Sequence, residues 1–284
     1  MIKIAHLGTF LLLAVIGILR TQAQYFGTSE YGAKHWTMGA RAGSGVVIGN
    51  VKPLAQNWQG ALTLTRHYNR KLDIRFDLGF AQHSGLNTTP STNLFSNEVL
   101  NGSRDSNIVY YDTAKLAAKP FYYNYRSQLL YVNVLAKANM NRMFRRIGGE
   151  KCDIYLLGGV QLGYYVIGMN VLDAQGKMYD FPTSVGSQKD LRKVMDKTYE
   201  TAGARDENKS TALITRYNGL TFGGGYRRLL YSGLGIGAEA TYTFTNTDLL
   251  DGDQWGPTGK DFDRRNDHLL HFSVFIDYSL KGKK

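Results

Sequence analysis

The chain has 284 residues, 43% of them hydrophobic, with 32 glycines, 19 tyrosines and only 5 prolines. Its formal charge of +11 points to anionic partners, and its single cysteine, Cys152, excludes an internal disulfide. Beyond the N-terminal segment no run of 18 apolar residues occurs, which excludes a membrane-crossing helix in the mature chain.

The first segment differs from the rest. Lys3 and His6 precede an apolar stretch, Leu7–Leu19, followed by Arg20-Thr21-Gln22-Ala23. A charged start, an apolar middle and a small residue before the cut read as a cleaved export signal over residues 1–23. No cysteine follows the cut, so the leader is not of the lipoprotein type. Removing Lys3 and Arg20 takes the charge to +9. For an exported chain, nucleic acid is excluded as a partner, and lipid phosphates or an acidic periplasmic protein fit the charge.

Residues 24–284 then read as a single domain of alternating strands. Strand one is Trp36–Gly43, followed by a loop over Gly45–Asn57. Strand two, from Trp58 to Thr65, sets Trp58, Leu62 and Leu64 against Gln59, Thr63 and Thr65. A short basic turn, Arg66-His67-Tyr68-Asn69-Arg70-Lys71, leads to strand three. There Leu72, Ile74, Phe76, Leu78 and Phe80 alternate with Asp73, Arg75, Asp77, Gly79 and Ala81. Such alternation places apolar and polar side chains on opposite faces of a strand.

A long Asn-, Ser- and Thr-rich segment, about 83–126, follows, with a short helix expected over Asn93–Leu100. Strand four spans Gln128–Asn141, and the basic turn Arg142–Lys151 carries Arg145 and Arg146. Strand five spans Asp153–Ile167. A second long loop, about 170–209, contains a helical pattern over Ser187–Thr201, with Leu191, Val194, Met195 and Tyr199 at helical spacing. Strand six is Ile214–Tyr226, and its turn holds Arg227 and Arg228. Strand seven is Leu234–Thr245, an acidic loop covers Asn246–Asp267, and strand eight is His268–Leu280 with a basic tail.

Eight strands, joined by turns that are alternately short and long, predict an all-β fold. It is an eight-stranded antiparallel up-and-down transmembrane β-barrel with long extracellular loops. Both termini and the short turns fall on the periplasmic side. The interior of eight strands holds side chains and little else. Trp36, Trp58, Tyr164, Tyr226, Tyr242 and Tyr278 lie near strand ends on the apolar face, as aromatic girdles do, which favours this barrel over a soluble lipocalin-type one.

The odd-numbered face collects Arg41, Asp73, Arg75, Asp77, Lys137, Asp153, Glu239 and Asp277. These are expected to neutralise one another in a lumen plug, with Arg41, Arg75 and Lys137 as partners of Asp277. A second group, Arg66, Arg70, Lys71, Arg142, Arg145, Arg146, Arg227 and Arg228, forms a basic periplasmic rim suited to lipid headgroups or to a docked periplasmic protein. The glycines of Gly223-Gly224-Gly225 precede no helix and no Lys-Ser/Thr pair, so they are packing residues rather than a phosphate loop. His271-Phe272-Ser273 has the His-x-Ser look of a lipid A deacylase, but both polar residues face the lumen and no suitable acid follows, so no catalytic residue is expected. Asp248, Asp251, Asp253, Asp261, Asp263 and Asp267 lack the spacing of an EF-hand and read as a solvated loop, with no metal or cofactor.

Three stretches carry a resemblance. They are Ala61-Leu62-Thr63-Leu64 with Leu72-Asp73-Ile74-Arg75-Phe76, then Tyr125-Arg126-Ser127, and Thr247-Asp248-Leu249-Leu250-Asp251 with Asn266-Asp267-His268. Across most of residues 25–280 the chain resembles outer-membrane barrels of the Bacteroidota, both OmpA-like eight-stranded barrels and the PorG-like barrels of the type IX secretion and gliding machinery. The periplasmic peptidoglycan-binding domain of OmpA-type proteins is not expected here, so the resemblance does not extend to peptidoglycan anchoring. The resemblance implies a non-enzymatic outer-membrane component, in contact with lipid and lipopolysaccharide, that meets a periplasmic partner on its basic rim. The competing expectations are a lipid A deacylase or phospholipase, and a surface adhesin working through the long loops.

Overall fold

The computed structural model describes residues 35–55, 57–68, 71–91, 121–140, 152–170, 173–175, 179–181, 187–196, 198–199, 201–202, 214–231, 233–253 and 265–280. The leader, the helix expected over Asn93–Leu100, the turn residues Arg70, Arg142, Arg145 and Arg146, the acids Asp261 and Asp263 and the C-terminal tail lie outside these residues.

Eight strands form the barrel: β1 (Trp36–Ile48), β2 (Trp58–His67), β3 (Leu72–Leu86), β4 (Asn124–Asn139), β5 (Cys152–Met169), β6 (Thr215–Tyr231), β7 (Leu234–Thr245) and β8 (His268–Leu280). Each is antiparallel to the next, and β8 pairs with β1 along thirteen residues, from Trp36↔Leu280 to Ile48↔His268, which closes the sheet. Closure leaves the barrel no open edge at which backbone N–H and C=O groups would face lipid unpaired.

One parity runs through the whole wall. Odd-numbered side chains point in and even-numbered ones point out in every strand. Each exposed large apolar side chain among the described residues is even-numbered, including Phe76, Val132, Leu162, Phe222 and Ile276. A soluble barrel would bury this face; here the charged face is the buried one, which fits a wall solvated by hydrocarbon.

The strands run longer than the repeats that predict them. Membrane spans need about 9–11 strand residues, and β3 to β6 have 15, 16, 18 and 17. Their outer ends rise past the membrane and are wrapped by the loops. There both faces are covered: Ser84, Leu86 and Asn124 are even-numbered and buried. A bridge Pro53↔Gly85, a bridge Ser91↔Phe121 and a two-residue strand, Thr201–Ala202, against the end of β5 tie the loops down. The helix expected over Ser187–Thr201 is the seven-residue α1 (Gln188–Val194), capped by Ser187. Its Leu191 and the adjoining Met195 pack with Leu86, Tyr122 and Tyr179 into a small loop core.

On the opposite side the β2–β3 and β6–β7 connections are short. Tyr68 N–H bonds back to Leu72 C=O across the β2–β3 turn. The β6–β7 turn passes through Gly233 with φ +96°, a left-handed conformation that glycine adopts without steric cost.

Candidate functional site: the lumen and the rim

The lumen is layered. Its central layer is a charge network drawn from strands far apart in sequence. Arg41 on β1 donates through Nη2 to Asp77 Oδ2 at 2.8 Å and through Nη1 to Glu239 Oε1 at 2.7 Å. Arg75 on β3 grips both oxygens of Glu239 and holds Asp77 Oδ1 at 3.0 Å in ion-pair contact. The Tyr155 hydroxyl donates to Glu239 Oε2 at 3.0 Å, and Asn133 Nδ2 donates to Asp77. Two guanidinium groups face two carboxylates, so the layer is formally neutral. All four side chains are buried, and a buried charge without a partner there would be costly.

Two clusters lie nearer the periplasmic end. In one, Asp73 accepts from His67 Nδ1 at 2.9 Å and from Asn139 Nδ2 at 3.0 Å, with Lys137 Nζ 3.8 Å away. Lys137 also sits 4.3 Å from the Tyr155 ring centroid, over its face. Thr37 Oγ1 lies 2.7 Å from His67 Nε2. Hydroxyl, imidazole and carboxylate thus follow the order of a nucleophilic relay. Thr37, however, points into the lumen and is only 4% exposed, out of reach of an acyl substrate.

The other cluster corrects two expectations. The sequence places Arg227 on the periplasmic rim, but β6 continues to Tyr231, and the odd parity turns Arg227 inward. It clamps Asp277 through Nε and Nη2, at 2.8 and 2.7 Å, and reaches Asp153 Oδ2 at 3.5 Å. Asp277 is therefore held by Arg227, not by Arg41, Arg75 or Lys137. A Cβ at Gly235 would fall 2.5 Å from Asp277 Oδ1 and 2.7 Å from Arg227 Nε, so this glycine makes room for the pair.

The extracellular third of the lumen is lined largely by apolar side chains. Inward Leu129, Tyr165, Ile167, Met169 and Leu269 pack with Val47, Val51 and Leu250. Alternation shows only that a residue faces in; it does not reveal that loop side chains fill this end as a cap. Below the cap His271 Nε2 meets His83 Nε2 at 3.2 Å, so His271 is engaged with a histidine and not with Ser273.

The acidic loop also differs from expectation. Asp251 and Asp267 are 0% and 1% exposed, and Asp253 is buried as well. Backbone N–H groups explain this. Val51 N and Asp253 N donate to the Asp251 carboxylate, and Leu250 N and Asp251 N donate to Asp267 Oδ2. The pair clamps the β7–β8 loop onto the β1–β2 loop. Burial lifts the Asp251 carboxyl to about 6, against the opposing pull of its backbone donors. Asp267 is raised well above the usual carboxylate range by burial and by the charges of Asp251 and Asp248. Among the described residues no group of three or more His, Cys, Asp or Glu side chains is arranged to hold a metal ion.

Of the rim, Arg66, Lys71 and Arg228 are described. Arg66 lies half-buried with its guanidinium 5.0 Å from the Trp36 ring centroid, and Lys71 is exposed. Arg228 is even-numbered and faces out. A groove of about 460 Å³ indents the outer wall at mid-height, where small outward residues, Ala42, Gly224, Ala238 and Ala240, sit beside Phe272 and Val274.

No protein-family model matches the chain, and no curated protein matches it significantly. Solved structures do. The chain is similar to a major outer membrane protein from Thermus thermophilus (12% identity, TM-score 0.40, covering 87% of this chain and 100% of that one). It is similar to the outer membrane protein OprG from Pseudomonas aeruginosa (10%, 0.39, 89% and 100%) and to Outer Membrane Protein W of E. coli (13%, 0.35, 88% and 100%). Fold and lumen together define a membrane-spanning, eight-stranded β-barrel whose interior is closed by its own side chains.

Proposed function

We propose that the protein is a non-enzymatic component of the outer membrane, exported by its leader, that docks a periplasmic protein on its basic rim. The observation that carries this reading is the sealed lumen. Charge layers fill its centre and periplasmic half and an apolar cap fills the rest, so solute passage is poorly served and the surfaces are left to act. On the periplasmic surface the described basic side chains, Arg66, Lys71 and Arg228, ring the short turns. Arg70, Arg142, Arg145 and Arg146 belong to the same turns in sequence. An unbalanced positive rim attracts an acidic protein surface or anionic lipid headgroups. The resemblance to PorG-like barrels supports a partner belonging to a secretion or gliding assembly, with lipid and lipopolysaccharide around the wall.

The test is crosslinking in intact outer membranes. Replacing Arg66, Lys71, Arg142, Arg145, Arg146 and Arg228 by Gln is expected to leave heat-modifiable gel migration intact and to remove a crosslinked periplasmic protein. An unchanged crosslink pattern would sink the docking reading. Loss of binding to anionic vesicles alone would assign the rim to lipid.

A further inference from the structure

We infer that His83 and His271 form a binding site for one divalent transition-metal ion of the zinc or copper kind, inside the lumen beneath the extracellular cap. The two histidines reach each other from β3 and β8, which are not neighbours in the sheet. Both are odd-numbered and buried. Their Nε2 atoms face each other at 3.2 Å, and the ring planes differ by 13°. Two imidazole nitrogens on one tetrahedral ion, with metal–nitrogen bonds of about 2.0–2.1 Å, lie about 3.3 Å apart. An ion therefore fits with its centre displaced by little more than about 1 Å from the line between the nitrogens.

Three further observations favour an ion over a simple contact. First, His83 Nδ1 lies 3.3 Å from the Gly45 carbonyl. An Nδ1–H that donates there leaves Nε2 bare, the tautomer that a metal-bound histidine takes when its second nitrogen is anchored to a backbone carbonyl. Second, Gly45 also makes space. A Cβ at that position would collide with His271 Cδ2, so only glycine admits the ring in this pose. Third, the Ser127 hydroxyl, directly across the β3–β4 ladder from His83, is buried and has no hydrogen-bond partner. A buried hydroxyl in that state is costly unless something engages it. The ion, or a water bound to it, is such a partner. Thr241, across the β7–β8 ladder from His271, brings a second hydroxyl to the same level. The protein thus supplies two nitrogens, and oxygen from hydroxyl or water completes the sphere. Neutral imidazole suits zinc and copper better than the hard cations calcium and magnesium.

The chain has an internal competitor, the stacked His35 and His67 rings, 4.1 Å apart at the periplasmic mouth. The experiment uses the barrel purified without an affinity histidine tag, supplied with Cu²⁺ or Zn²⁺ during refolding and then desalted. Wild type and His67→Gln are expected to retain one equivalent. His83→Gln and His271→Gln are expected to bind at least tenfold more weakly while keeping heat-modifiable migration. In the wild-type Cu²⁺ protein, electron paramagnetic resonance is expected to count two coupled imidazole nitrogens, a readout that needs no variant. Retention of no ion by the wild type overturns the site. So does equal retention by the His83→Gln/His271→Gln double variant, or loss confined to His67→Gln. Any of these results leaves the two imidazoles joined by a single N–H···N hydrogen bond.

Discussion

Glu239→Gln is the sharpest perturbation of the central lumen layer. Glu239 accepts from Arg41, twice from Arg75 and once from Tyr155. Neutralising it leaves two buried guanidinium groups facing the single carboxylate of Asp77. Removing one partner from a buried ion-paired set costs about 3–5 kcal/mol, most of it the penalty of the charge left behind. Removing Arg75 as well restores neutrality, because Arg41 and Asp77 still pair at 2.8 Å. Glu239→Gln/Arg75→Met is therefore expected to recover about half or more of the loss, a coupling on the order of 2 kcal/mol between sites that share partners. Guanidinium unfolding in vesicles, followed by tryptophan fluorescence and by the heat-modifiable band shift, measures both variants. A double variant no more stable than Glu239→Gln would refute charge balance as the organising principle of the layer.

Three other outcomes are expected. Arg227→Ala takes the bidentate partner from Asp277 and costs about 3 kcal/mol, whereas Arg228→Ala, one residue on but facing out, stays within about 0.5 kcal/mol; the same unfolding assay separates them. Gly79→Ala drives a Cβ into the Tyr131 ring, forcing a buried side chain to move at a cost of about 1–3 kcal/mol, visible as a lower denaturation midpoint. The Asp251–Asp267 clamp is pH-dependent. Both carboxyls are raised in the folded state, so their contribution is fully present below the ordinary carboxylate value near 4 and is lost as pH rises, for Asp251 through about 6. Asp248, Asp253 and the Tyr125 phenol surround the pair and supply no positive charge. Hydrogen-exchange protection of the Val51 and Leu250 amides, corrected for intrinsic rates, is expected to fall as pH is raised from about 5 to about 8 in the wild type. It is expected to stay level in Asp251→Asn/Asp267→Asn, in which neither carboxyl titrates. Equal pH dependence in both proteins would remove the clamp as its cause.

Much of the wall is legible in the letters. Alternation is a local property, and Leu72–Ala81 or Leu234–Thr245 display it without help from the rest of the chain. Strand ends are less legible. Arg227 and Arg228 look like a turn because two arginines interrupt an apolar run, yet the same odd–even count that places Arg75 inward places Arg227 inward once β6 is carried on to Tyr231. The His83–His271 meeting is out of reach for a different reason. Parity puts both in the lumen, but β3 and β8 are separated by β1 and β2, so their relative height depends on the stagger summed over three ladders. The burial of Asp251 and Asp267 likewise depends on backbone N–H groups, one of them brought from another loop, which no acidic stretch announces by itself.

The shared parity of the eight strands also constrains how such a chain can change. Among the described pairings one register shift occurs, between Leu229 and Tyr231, past Arg227 and at the end of β6. Everywhere else, one added residue inside a strand would turn all that follows in that strand inside out, sending arginine and aspartate into hydrocarbon. The smallest tolerable insertion in the wall is a dipeptide. Single-residue steps are free only in the loops and turns, so length variants selected from a random library should sort into even increments within strands and any increment between them.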